Sequence, residues 1–262
     1  MDDPLALLRL QIEWGADEAL DPDPLDRLGA VVASPAAARP LPRAVPPATP
    51  AAGPATAASR QAPAERALAV AAQATSLEQL RDAIAGFDGC ALRDTASNLV
   101  WAEGDPDGAA LIVGEPPGRD EDRTGRPFAG ADGALLEQML GSIGLTRAQV
   151  LLAPLLPWRP PGGRPPSAAE LAICLPFLHR LIALAQPNRL LIFGNTAART
   201  LLAGAAARRR PTPAWIDSSI PGLRTMLPSL VLPGFAEMQK APTLHRNAWA
   251  GLRLLRRAID AR

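Results

Sequence analysis

Tyrosine is absent from the chain, and only two cysteines and two histidines occur in its 262 residues. Two thiols, Cys90 and Cys174, cannot build a disulfide framework. With His179 and His245 they form no spaced metal motif, and His179 reads as an ordinary helix residue. A charge excess is missing too. The formal net charge is +1, so no global field points to nucleic acid or membrane. No apolar run approaches the ~20 residues of a membrane span. The start, MDDPLALLRL, lacks the basic opening and apolar core of a signal peptide. These absences lead to the expectation of a cytoplasmic chain with no membrane segment.

Proline and apolar residues are plentiful, at 29 prolines and 48% apolar content, enough for a substantial core. Residues 4–20 show Leu5, Leu8 and Ile12 at helical spacing, within an acidic 1–32 segment. Residues 33–65 are Ala/Pro-rich and read as a disordered linker, since such composition cannot pack a core. A functional tail is the lesser option. The folded domain is expected over 66–262. Thr75 and Glu78 suggest a capping box before a helix reaching about Phe87. Four short apolar runs follow: ALIVG (110–114), VLLAPLL (150–156), RLLIFG (189–194) and LPSLVLP (227–233). Each is short enough for a strand and continuous enough to be buried on both faces. Helical patterns separate them, with Ser167–Glu170 and Asn195 as caps and RNAWAGLRLLRRAID as the last helix. Strands alternating with helices imply a three-layer α/β/α sandwich around a central four-stranded parallel sheet. Ligands in such folds bind at the carboxyl ends of the strands.

The loop GEPPGRDEDRTGRPFAG (114–130) sits at that edge. It lacks the Lys and Ser/Thr of a P-loop, and its prolines remove amides that a phosphate would need. Asp120, Glu121 and Asp122 lack the partners of a metal site and read, taken alone, as a solvated turn.

The order of motifs says more. A strand leads to GEPPG, an acidic run, RPFAG and a helix; a later strand leads to WRPPGGRPPS and CLPFLHR. This set resembles the family-four uracil-DNA glycosylases over roughly 75–262, together with the WGADEAL segment near the start. The resemblance implies the glycosylase fold and base-excision DNA repair: a uracil or related base is extruded from DNA and its N-glycosidic bond is hydrolysed. It implies Glu115 and Glu121 as catalytic carboxylates. Gly114, Pro117, Gly118, Phe128 and Gly130 would hold the base, with Phe128 as the stacking ring. Arg159, Arg164, Lys240, Arg253, Arg256 and Arg257 are the candidate phosphate contacts. DNA is the implied partner. A protein partner could be tethered through the N-terminal segment and linker, and a monomer is expected.

Departures from the family pattern stand beside these matches. Pro154 replaces an Asn that reads the uracil edge, and Gly163 replaces the Asn of RPPGNR. Gly234 takes the place of the His that stabilises the leaving base, with Gln239 and Lys240 nearby as possible substitute donors. Four cysteines hold a [4Fe–4S] cluster in many members; here their positions read Phe87, Cys90, Trp158 and Cys174. Two thiols cannot supply a four-thiolate set, so loss of the cluster is expected, with no other cofactor. The alternative function is a catalytically reduced paralogue that serves as a DNA- or protein-binding module.

Overall fold

The computed structural model describes residues 62–202 and 212–261. The expected N-terminal helical segment and nearly all of the expected linker lie outside them. The first described helix, α1, spans Pro63–Gln73, so ordered structure begins inside the last residues assigned to the linker. It is followed by α2 (Leu77–Gly86) and α3 (Ala91–Thr95). The α2 cap is displaced by one residue from the expected pair. Ser76 is the N-cap and accepts from Gln79 N–H, while Gln79, not Glu78, reaches back to Thr75 N–H at 2.8 Å.

Strands β1 (Glu103–Gly104), β2 (Leu111–Val113), β3 (Leu151–Ala153), β4 (Leu190–Phe193), β5 (Ile216–Ser218) and β6 (Leu227–Leu232) form one sheet of order β1-β3-β2-β4-β6-β5. The four apolar runs are its parallel centre, β3-β2-β4-β6. The edge strands β1 and β5 are antiparallel additions. Both are short and polar at one or more positions, which left no apolar run to reveal them.

Alternation along the central strands builds the three layers. Leu111, Val113, Leu190 and Ile192 enter one core, and Ile112, Leu152, Leu191 and Phe193 enter the other. Successive side chains point to opposite faces, so a strand covered on both sides must be apolar throughout. The first core packs α1, α2 and the long helix α6 (Ala168–Ala185). The second packs α5 (Gly130–Gly141) and α9 (Pro242–Asp260). Ser167 and Glu170 cap α6 reciprocally at 3.2 and 2.7 Å. By length and mean hydropathy of 1.6, α6 alone among the described helices could span a membrane. Its Cys174, Phe177, Leu178, Leu181 and Ile182 are buried in the first core, as in a core helix. The last helix starts at Pro242, ahead of the expected start, because proline fits the first helical turn. Helix α7 (Asn195–Leu201) has Gly194 rather than Asn195 at its N-cap.

Strand order reverses at β2: β3 lies on one side of it and β4 on the other. Such a switch point opens a crevice outside the carboxyl ends of the two strands.

Candidate active site

A cavity of about 340 Å³ occupies that crevice. Its walls come from the segment after β2, the start of α7 after β4, and α8 (Phe235–Lys240) after β6. Glu115 spans the switch point: its Oε1 accepts the Thr196 N–H at 2.8 Å. A carboxylate is favourable at the first turn of a helix, where amides lack intrahelical partners. Glycine at 194 makes this possible. With φ at +100°, a Cβ there would lie 2.0 Å from Glu115 Oε1.

The acidic run is the short helix α4 (Arg119–Thr124), not a solvated turn, and its three acids have three surroundings. Asp122 is buried and accepts from Ser97 N–H at 2.8 Å, tying the loop to the segment before β1. Glu121 faces the cavity and accepts from Gly118 N–H at 3.0 Å. Burial pushes the Glu121 carboxyl above its usual range, with Asp132 and Asp120 adding repulsion. Asp120 pairs weakly with Arg123 at 3.6 Å. Asp132, from the first turn of α5, also lines the cavity; burial and then Asp120 push its pKa up as well.

Phe128 lines the cavity and belongs to the second core. Its φ of +50° is unusual for a bulky residue and needs outside support. Arg147 supplies it, donating to the Phe128 carbonyl at 3.1 Å and to Pro127 O. Glu103 holds Arg147 at 3.0 Å in turn, and Arg126 and Arg147 together lower the Glu103 carboxyl to about 2. The ring lies over the end of β2, where a Cβ on Gly114 would come within 2.7 Å of it. Across from it stands Phe235, edge-on at 5.9 Å between centroids and stacked on Phe193 at 5.0 Å.

Several expected site residues meet here. Glu115, Glu121, Gly114, Pro117, Gly118, Phe128, Pro154 and Gly234 all line the cavity. Gly130 does not; it is exposed beside Phe128, and its φ of +71° turns the chain into α5. Gly163 does not either. It sits in an exposed turn, so the wall opposite the acids is formed by Pro154 and Gly234 without it. Gly234 lies close to the end of β4, where an added Cβ would come 3.3 Å from Gly194 Cα. Gln239 is exposed and donates to Asp132 at 3.3 Å, and Lys240 does not line the cavity. Neither histidine lines it, and burial lowers the His179 pKa.

The candidate phosphate contacts are scattered. Arg164 is paired with Glu170 at 2.6 Å, and Arg159 is half-buried. Arg253, Arg256 and Arg257 lie late on α9, which runs back from the cavity. At 1.5 Å per residue, Arg257 is about 22 Å along the axis from Pro242. Arg189, just before β4, donates to Ala258 O, which places this end of α9 at the amino edge of the sheet. These three arginines therefore face away from the cavity edge, and Arg256 is engaged with Asp260 at 2.7 Å.

Asp132, Gly194, Asn195, Thr196, Phe235 and Glu237 were missed from sequence. The GNT triplet directly after an apolar strand was the available signal for three of them. Glu237 accepts from Asn195 Nδ2 at 2.5 Å and from Gly234 N–H at 3.3 Å.

The positions of the family's cluster ligands come together on the other side of the sheet. Phe87, Cys90, Trp158 and Cys174 are all in the first core, with the two sulfurs 3.9 Å apart. Phe87 packs edge-on against Phe177 at 5.3 Å. Two thiols beside two buried rings do not fit an iron–sulfur cluster held by four thiolates. Among the described residues no group of three His, Cys, Asp or Glu could hold a metal ion.

Comparison with known proteins bears on this arrangement. The family model described as the uracil DNA glycosylase superfamily matches residues 101–252, more than half of the chain. The chain is similar to the Type-4 uracil-DNA glycosylase of Pyrobaculum aerophilum, 37% identical over 126 residues, which cover 48% of this chain and 64% of that protein. It is 40% identical over 124 residues to that of Archaeoglobus fulgidus, covering 47% of this chain and 62% of the relative. For that of Sulfurisphaera tokodaii the identity is 39% over 121 residues, covering 46% and 55%. The chain thus spans less than two thirds of the length of each of these relatives.

Proposed function

The chain belongs to the uracil DNA glycosylase superfamily, and from that premise we propose that it acts in base-excision DNA repair, receiving an extruded base in the cavity at the β2/β4 switch point. The single observation that carries this reading is the convergence of Glu115, Glu121 and Phe128 on that one cavity. Cleavage of the N-glycosidic bond leaves positive charge on the sugar, and a carboxylate beside it stabilises that charge and takes a proton from the attacking water. Glu115, anchored on Thr196, suits this role, and Glu121 is its neighbour on the acidic wall. Phe128 supplies the ring. The opposite wall offers Pro154 and Gly234, which have no side-chain donor for a leaving uracil anion. Loss of one such donor typically costs ~10²–10³ in rate.

Release of free uracil from single- and double-stranded DNA tests the reading. We expect release slower than that of a Type-4 relative by about 10²–10³-fold, and abolished by Glu115→Ala. Release undiminished in Glu115→Ala would remove the carboxylate from the mechanism. A second reading, a DNA- or protein-binding module with reduced chemistry, is favoured by Phe235, an apolar ring facing Phe128 from the segment where the family places a polar donor. Retained DNA binding with no base released would select it. The residues at the cluster positions support a fold without iron, and DNA remains the proposed partner.

A further inference from the structure

Four carboxylates face the cavity. Glu115, Glu121, Asp132 and Glu237 line it, and among the described residues no lysine, arginine or histidine does. Four of its N–H donors are engaged within the walls. Asn195 Nδ2 is given to Glu237, Gly118 N–H to Glu121, Thr196 N–H to Glu115 and Gly194 N–H to Leu232 O. Pro116, Pro117 and Pro154 have no N–H to give. An ionised carboxylate only accepts hydrogen bonds. Beside the Asn195 amide and the Thr196 hydroxyl, the described side chains of the walls offer carboxylate acceptors with negative charge and the face of an aromatic ring, which attracts cations.

Uracil fits such a lining poorly. Its carbonyls are acceptors, and it departs as an anion, which the carboxylates would oppose. A base that already carries positive charge reverses both terms. We propose that the cavity takes a cationic, N-alkylated purine in DNA in preference to uracil. In this reaction the bond between C1′ and the purine nitrogen breaks, and its electron pair moves onto the base and cancels the positive charge. The base leaves neutral and needs no donor at position 234. Water adds its oxygen to C1′, and its proton passes to the Glu115 carboxylate and then to solvent. The products are the free alkylpurine and an abasic sugar.

The proposal rests on the reading that the cavity receives an extruded base, and the test separates the two. The full chain is incubated with two duplexes, one carrying uracil and one carrying 7-methylguanine, and free base is counted by mass spectrometry above the rate without protein. Alkylpurine release exceeding uracil release by at least about tenfold is expected, the scale of one cation–ring contact. Asp132→Asn keeps the shape and an oxygen for Gln239 but removes a charge from the lining, so it should lower alkylpurine release several-fold while leaving the melting temperature no lower than wild type. Uracil released as fast as 7-methylguanine would overturn the preference and leave the base-excision reading standing. Release of neither base above background would overturn both.

Discussion

Three neighbouring acids show how little a residue's type decides on its own. Asp122 is structural, bonded to backbone amides of another segment; Glu121 faces the cavity; Asp120 is half-exposed. Their helix places them about 100° apart around its axis, which sends each to a different neighbour. Glu121 gives a pH prediction. Its carboxyl is shifted upward in the fold, chiefly by burial, so the native state favours the protonated form. A raised carboxyl pKa stabilises the fold below the ordinary value of about 4.3, and that contribution is lost as pH rises through the shifted value. Glu121→Gln cannot ionise and keeps an oxygen for Gly118 N–H. It should melt higher than wild type at pH 7 to 8, with the difference closing below about pH 4. A variant that is less stable than wild type at pH 8 would show that the charge is favourable where it sits.

At the scale of elements, the four apolar runs were legible as strands because burial on both faces leaves an uninterrupted apolar stretch. The edges were not, since an edge strand has one neighbour and can be short and polar. The reach of α9 misled in a different way. Its arginines form a basic series in sequence, yet a helix following a parallel strand returns toward the sheet's amino edge and carries its last turns away from the ligand edge. Phe235 was hidden because the 234–240 segment shows no long periodic pattern; as α8 it turns a ring into the cavity. Phe87 and Trp158, by contrast, were legible as bulky residues at two of the family's thiol positions, and with only 4% and 3% exposure they fill the volume there. Trp158→Ala should cost about 3–5 kcal/mol by denaturant unfolding, and the purified protein should contain no iron. Four irons per chain with visible charge-transfer absorbance would contradict the account of this region.

At the scale of the whole molecule, the fold sets where chemistry can happen and the loops set which chemistry. The switch point at β2 joins the acidic loop to the start of α7, and a glycine at the end of each of β2, β4 and β6 lets the three segments approach. Glu115, Glu121 and Phe128, the two carboxylates and the ring that the resemblance singles out, line one half of the resulting cavity. The other half differs in substance, because Pro154 and Gly234 stand where the resemblance implies donors, with Phe235 and Glu237 beside them. Resemblance could locate the missing groups but not what replaced them, since that depends on how α8 folds back. The central claim is that the cavity receives a base drawn out of DNA, and the direct measurement is the fluorescence of 2-aminopurine placed beside the target nucleotide. Target nucleotides with a 2′-fluoro sugar, which resists hydrolysis, would carry uracil in one duplex and 7-methylguanine in another. Saturating protein should raise the fluorescence with a damaged duplex and not with an undamaged one, and Phe128→Ala should reduce the rise. Saturated binding with no rise in either damaged duplex would contradict the claim.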